Sequence, residues 1–552
     1  MFGPGAAAVF VLLGAAAAAA GTQEKKEGRY EQFTRRAAEG PKMKVVAATF
    51  FGGPGIEEFL AVRALPDGRI AAFGNAWGPE FPGPARVLGK GRHLGLKAAS
   101  VDPKGNRVLR PENPDIAGMV VFYAPNLSAV AGVLRFDWGV ASLGAAEVAR
   151  DGRALLLAGR CTAAFREFAP GARTVPEPPP PPPEPGRRPP ERDTGPQEYE
   201  GVALPGDVFV LRLSLEGSVE WAWIFEGHRG PPEQIWTLND GSVYVDVRGL
   251  YRISPDGREA KKICPLTQSR TSRYLAADPA GGDFYYGGDR NTHTGKEPWR
   301  QPYLYRFDGS GNRLWKLWEW PPRSLRDGMA DGYDGLVADS SPRAADLSPA
   351  GDLWVGGWSD GGNSVFSFQP TDASKPVPKA PLEMPCWGMK GANSIAHVMR
   401  IDSRTPTVLA HAHWVAYLPA NFQDERLRGA PNGARIRRLR AHPDGALGIV
   451  GSAASVLVQT PGAFYPYPGD GRGYGGECVV VYDRGMENFL FSSYLPGCEN
   501  LSLGTTPRGF AVVSRSRGDD GQKEPVRTPA VNALQPEKKG EFDAHILLLE
   551  LP

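Results

Sequence analysis

Along this chain, short apolar runs alternate with turn residues at intervals too brief for long helices and too regular for loops. "RALPDGRIAAFGN" (63–75) shows the unit, in which an apolar run, a Pro-Asp-Gly turn and a second apolar run close on glycine. The phrase returns six times, as "EVARDGRALLLAGR" (147–160), "WTLNDGSVYVDV" (236–247), "AADPAGGDFYYGG" (276–288), "ADLSPAGDLWVGG" (345–357), "RAHPDGALGIVGS" (440–452) and "GTTPRGFAVVSRS" (504–516). Alternating apolar positions on both sides of a turn built from Pro, Asn, Asp and Gly predict a β-hairpin at every copy. Its strands are called A and B.

A second phrase follows most copies after an insert of variable length: 120–136, 209–225, 250–263, 303–320, 397–415 and 479–495. Four of these carry Arg, an apolar residue, then Asp or Ser ahead of a turn, at Arg212, Arg252, Arg306 and Arg400. This predicts a second hairpin, strands C and D. Four antiparallel strands repeated seven times describe an all-β, seven-bladed β-propeller, in which each sheet buries its apolar faces only against its neighbours. The seventh unit ends after one strand, "FDAHILLLELP" (542–552), and lacks strand D, while "KVVAATFFGG" (44–53) is a strand without a blade. Pairing the N-terminal strand with the C-terminal blade would close the ring and remove two sheet edges.

The turn, the strand closing on Gly-Gly, and the Arg-apolar-Asp strand leading through a turn to Trp resemble the bacterial extracellular seven-bladed beta-propeller repeat called SBBP. "YLYRFDGSGNRLWKLWEW" (303–320) and "ADLSPAGDLWVGG" (345–357) carry the likeness most fully, and it extends over about residues 44–552. The resemblance implies a secreted propeller; its motifs are structural and bring no set of catalytic residues. Several copies here are eroded and interrupted by long inserts.

Composition agrees with many short strands: glycine (69) and proline (53) are abundant and aromatics make up 10 %. The 63 basic and 61 acidic residues nearly cancel, which argues against nucleic acid or an anionic membrane surface as partner. The uncharged run Ala6–Ala20 followed by Gly21 and Thr22 reads as a signal peptide over 1–21, with an uncleaved anchor as its alternative and a polar spacer over 22–43. The expected location is secreted, extracellular or periplasmic. The five cysteines are odd in number and lack metal spacing; Cys478 and Cys498 are nearest in sequence but out of register, and unpaired buried thiols are the plainer expectation.

Within a propeller blade the A–B and C–D turns share one face of the ring, and the B–C and D–A connections share the other. The first set is uniformly short. The second carries the inserts, over 77–117, 162–205, 289–301, 359–395, 455–476 and 517–541. Such one-sided elaboration predicts the working face. One insert contains "PEPPPPPPEPGRRPP" (176–190), which cannot join a sheet and should extend as polyproline II, as a plain loop or as a ligand for an aromatic groove.

Candidate chemistry is sparse. A strands should enter beside the central channel, and three begin with a carboxylate followed by a carboxylate or amide: Glu57-Glu58, Glu233-Gln234 and Glu499-Asn500. Converging oxygens there would suit Ca²⁺, yet Arg273, Arg343 and Arg435 hold comparable positions, so mutual ion pairing is the simpler expectation. "DGMADGYDG", with Asp327, Asp331 and Asp334, is a second Ca²⁺ candidate against a solvated loop, and "DRNTHTGKE" around His293 fits a calcium loop poorly. "HAHW" (411–414) sets two imidazoles on one side of a strand, a spacing metal sites use, but on an outermost D strand it reads as surface or inter-blade packing. Trp77, Trp299, Trp358 and Trp387 lie in or beside inserts, where they could stack on sugars, clasp a peptide, or simply pack the inserts onto the ring. No G-x-S-x-G, H-E-x-x-H or phosphate-cradling loop occurs. The sequence therefore predicts a monomeric binding scaffold for a protein or polysaccharide, without a catalytic set or required cofactor. A metal-assisted hydrolase or lyase at the channel mouth is the alternative, and a quinone oxidoreductase rests on fold analogy alone.

Overall fold

The computed structural model describes residues 37–77, 85–88, 97–101, 107–110, 116–136, 140–161, 165–176, 198–199, 202–203, 207–227, 232–266, 271–291, 300–318, 338–360, 364–382, 395–414, 434–453, 457–464, 476–519 and 527–552. These residues form seven antiparallel blades. With strands A to D in order, blade 1 runs through Ile56–Ala64, Ile70–Trp77, Ile116–Tyr123 and Val130–Phe136, and blade 2 through Val140–Val148, Ala154–Cys161, Asp207–Ser214 and Val219–Phe225. Blade 3 runs through Ile235–Thr237, Val243–Asp246, Leu250–Ile253 and Ala260–Cys264, and blade 4 through Ser272–Ala277, Phe284–Asn291, Arg300–Phe307 and Arg313–Leu317. Blade 5 runs through Ser340–Leu347, Asp352–Ser359, Ile395–Asp402 and Thr407–His413, and blade 6 through Arg435–Ala441, Leu447–Ala453, Gly476–Tyr482 and Phe489–Tyr494. All seven A–B hairpins of the repeated phrase are present. Their turns use the left-handed conformation that glycine tolerates, as at Gly68 (φ 86°) and Gly445 (φ 95°), which explains the recurrent Asp-Gly.

Blade 7 takes strands A, B and C from Cys498–Thr506, Gly509–Ser516 and Asp543–Glu550, and its D strand from Lys44–Phe51. Val45 lies opposite Leu549 and Thr49 opposite Ile546, so the N-terminal strand closes the ring in the register that the missing strand demanded.

The buried apolar residues divide into seven clusters, one for each joint between neighbouring blades. Leu155 and Leu157 of blade 2 meet Phe73 and Phe122 of blade 1, whereas Leu156 and Ala158, on the other face of the same strand, meet Val243 and Val245 of blade 3. A strand read as continuously apolar is thus buried on both faces, and no blade holds a core of its own.

Several inserts return to the outer edge of their own blade. Ala85–Leu88 pairs in parallel with strand D of blade 1, and Arg173–Val175 does the same in blade 2. In blade 5, Lys379 bridges His411, and in blade 7 Val531 bridges Ala48. Thr460 exchanges hydrogen bonds with Ser492 on strand D of blade 6. These segments satisfy backbone groups that an open edge would present to other chains.

Candidate functional site

The A strands define the central channel, and most contain one extra residue relative to strand B. Register shifts fall between Phe59 and Ala61, Tyr274 and Ala276, Pro342 and Ala344, Ile436 and Arg438, and Glu499 and Ser502, and strand A of blade 2 shifts at Gly144. Such β-bulges re-aim side chains. In blade 6 the burial alternation of Arg435–Ala441 breaks at the bulge, so Arg435, Arg437, Arg438 and Arg440 retain access while Ile436, Leu439 and Ala441 are buried. A strict two-residue alternation would have hidden half of these arginines.

The glycines closing strand B have a matching cause. Opposite the bulge, a Cβ on Gly74, Gly159 or Gly451 would lie 1.8, 2.1 or 1.9 Å from a carbonyl oxygen of strand A. Only glycine lets the two backbones approach so closely.

At the end of the channel where A strands begin and B strands end, a cavity of about 780 Å³ opens on the insert-bearing face. Its wall includes the bulge residues Leu60, Gly144, Arg343, Arg437 and Asn500, and, among the described residues, seven arginines: Arg273, Arg300, Arg343, Arg435, Arg437, Arg438 and Arg440. Glu233 is the single carboxylate in that wall among the described residues. Below it the space contracts to about 20 Å³ around Arg63, Glu233, Arg438 and Arg440. Arg438 of blade 6 crosses the channel to donate to the Glu233 backbone carbonyl of blade 3 at 3.1 Å and so forms its floor.

Five of the arginines are held by carboxylates. Arg273 pairs with Glu233 (3.0 Å), Arg343 with Asp289 (3.5 Å), Arg300 with Asp339 (3.8 Å), Arg440 with Asp346 (3.3 Å) and Arg437 with Glu477. Arg437 also donates to Asn500 (3.0 Å), whose left-handed backbone (φ 57°) belongs to the blade 7 bulge. Arg435 and Arg438 have no such carboxylate among the described residues. Burial lowers the Arg438 pKa to about 10, with Arg440, Arg273 and Arg63 adding repulsion against the pull of Glu233. Burial likewise pushes Glu477 up to about 7, reinforced by Glu499 and opposed by Arg437. The cavity therefore carries excess positive charge in a partly desolvated place, where an anion would be held more strongly than in water.

Of the three carboxylate pairs at A-strand entrances, only Glu233-Gln234 lines this cavity. Glu57 is wholly buried, accepting from Gly53 N–H at 3.2 Å, and burial with the nearby Asp543 raises its pKa to about 8. Glu58 is buried and takes an amide hydrogen bond from Asn75. Burial also pushes Glu499 up, but hydrogen bonds from Arg517 and Arg515 outweigh it and leave its pKa below the usual value. Trp358 stands in the cavity wall with the Arg343 guanidinium over its ring at 5.5 Å. Trp77 ends strand B of blade 1, while Trp299, Trp387, Asp327, Asp331, Asp334 and His293 lie outside the described residues, as do 1–36 and 177–197. Cys161, Cys264, Cys478 and Cys498 are buried and unbridged. Among the described residues, no helix is long and apolar enough to cross a membrane.

The arginine set had a signal in "RIRRLR" (435–440), but its meaning depended on the bulge. A second constellation, His397 with His411 and His413, was half visible as "HAHW".

No family model and no curated protein matches the chain. Among solved structures it is similar to Kuenenia stuttgartiensis hydrazine synthase, with 12 % identity, 79 % of this chain and 95 % of that one covered, and a TM-score of 0.35. It is also similar to the C-terminal WD40 domain of Sif2 (7 % identity, 93 % and 99 % covered, TM-score 0.35) and to an ulvan lyase of polysaccharide lyase family PL25 (9 % identity, 91 % and 97 % covered, TM-score 0.37). At these identities and scores none lends this chain an activity.

Proposed function

We propose that this propeller is a binding scaffold that receives an acidic polysaccharide in its arginine-lined channel mouth. The observation carrying the reading is Arg435 and Arg438, two guanidiniums without a carboxylate partner among the described residues, set in a cavity of about 780 Å³. That volume suits a few sugar units. Arginine forks match carboxylate or sulfate oxygens, and Trp358 offers an aromatic edge beside them. Among the described residues of the wall none forms a nucleophile with its base, and the three carboxylate pairs do not converge, which favours a binder over a hydrolase or lyase. The export expected from Ala6–Ala20, and the likeness of the repeat to SBBP propellers, fit a role on polymers outside the cytoplasm.

Binding of polygalacturonate and dextran sulfate, with neutral dextran and a poly-glutamate peptide as comparators, tests this by calorimetry at low and high salt. Both acidic glycans should bind, dextran should not, and affinity should fall as salt screens the pairing. Arg435→Glu with Arg438→Glu should weaken binding at least 30-fold, about 2 kcal/mol. Retention of poly-glutamate alone would move the ligand class to an acidic protein, and equal binding of neutral dextran would remove the electrostatic basis.

A further inference from the structure

The antiparallel C–D hairpin of blade 5 places three imidazoles on one face of a sheet. His397 on strand C (Ile395–Asp402) lies opposite His413 on strand D (Thr407–His413), and His411 is two residues along from His413 on the same side. Their ligating nitrogens all fall within 4.8 Å of one another. His397 Nδ1 and His411 Nε2 are 2.9 Å apart, and the three ring centroids are 5.0–5.2 Å apart. His397 and His411 are buried, at 0 and 2 % exposure, and His413 is half-buried.

We propose that His397, His411 and His413 form a binding site for a first-row transition-metal ion of the Zn²⁺ class, distinct from the channel and independent of what the channel binds. Three observations support it. The donor set is all imidazole nitrogen, which suits Zn²⁺, Cu²⁺ or Ni²⁺ and not the oxygen-seeking Ca²⁺. The ligating nitrogens already converge within 4.8 Å of one another across two paired strands. The remaining nitrogen of His397, Nε2, is 2.7 Å from the Ser359 hydroxyl, an outer partner that fixes the ring with Nδ1 facing the other two imidazoles.

Metal–nitrogen bonds of about 2.0–2.1 Å in a tetrahedral site set ligating nitrogens about 3.3 Å apart. The His397–His411 pair would open by a few tenths of an ångström and His413 would close in. Phe366 packs edge-on against His397 at 5.2 Å and Trp318 against Phe366 at 5.0 Å, giving the apolar surround that strengthens such bonds. The Lys379–Ala380 segment covers strand D at His411, and His413 is the least buried of the three rings, which places entry on its side. Lys379 is the charged group facing His411, and no carboxylate belongs to the cluster among the described residues, so the ion's charge would remain uncompensated by the protein and favour an anionic or water fourth ligand.

Chelator-stripped full-length protein titrated with ZnCl₂ alone, followed by calorimetry and metal analysis, tests the assignment. CoCl₂ supplies a visible spectrum that reports imidazole ligation. One equivalent of Zn²⁺ should bind at sub-micromolar Kd and raise the Tm. His413→Ala, at the half-exposed position, should keep the native circular dichroism and lose at least 100-fold in affinity. Ser359→Ala should lose about 10–100-fold, as outer-partner changes do. Undiminished Zn²⁺ binding by folded His413→Ala, or no stoichiometric Zn²⁺ binding by the wild type, would overturn the site.

Discussion

Glu57 stands at the joint of blades 7 and 1 with one carboxylate oxygen on the Gly53 N–H and the other, Oε1, buried without a hydrogen-bond partner among the described residues. Folding raises its pKa from 4.5 to about 8, so the folded protein holds a proton that the unfolded chain releases above pH 4.5. The stability tied to this group is whole below pH 4.5 and is lost as pH climbs through about 8. Glu57→Gln, uncharged at every pH, should therefore flatten urea-unfolding stability between pH 5 and 8 and exceed wild type at pH 8 by on the order of 2 kcal/mol. A second residue-scale expectation concerns Gly451, whose added methyl would meet the Arg435 carbonyl at 1.9 Å. Gly451→Ala should cost about 2–3 kcal/mol in thermal or urea unfolding, whereas Gly171→Ala, with open space around it, should change little.

At the scale of the strand, the bulge in Arg435–Ala441 decides which residues meet the channel. Arg437→Ala retains the extra residue and should leave the Tm within about 3 °C while weakening anion binding. Deleting Arg437 removes the extra residue but leaves Ile436, Arg438, Leu439 and Arg440 in regular alternation against the same partners on strand B, so the shortened chain should still unfold cooperatively in circular dichroism melts while losing the contacts Arg437 makes to Glu477 and Asn500. The hairpins and their order were legible because turn glycines and apolar alternation are local properties of the chain. The bulges were not, since "RIRRLR" contains no glycine or proline to mark the added residue, and the arginine-lined cavity depends on them. The histidine cluster was half legible for a related reason: "HAHW" shows two rings on one face, but the third, His397, enters only through cross-strand register. Strand D also looked like an outer surface because the cover supplied by Lys379–Ala380 comes from an insert with no strand pattern.

For the whole molecule, stability resides in seven joints, so loss of one strand weakens two of them and opens an edge. Removing residues 1–51 should leave Asp543–Glu550 unpaired on one side and give soluble oligomers or aggregates by size-exclusion chromatography. A synthetic peptide of Lys44–Phe51 added in trans should restore the elution volume of the intact chain. The same split blade has a consequence during synthesis. Roughly 490 residues separate Phe51 from the strand that receives it, and at ~5–20 residues per second the ribosome needs roughly 25–100 s to supply them. Throughout that interval Lys44–Phe51 waits with "VVAATFF" uncovered, which makes the nascent chain a client for holding chaperones until Asp543–Glu550 emerges.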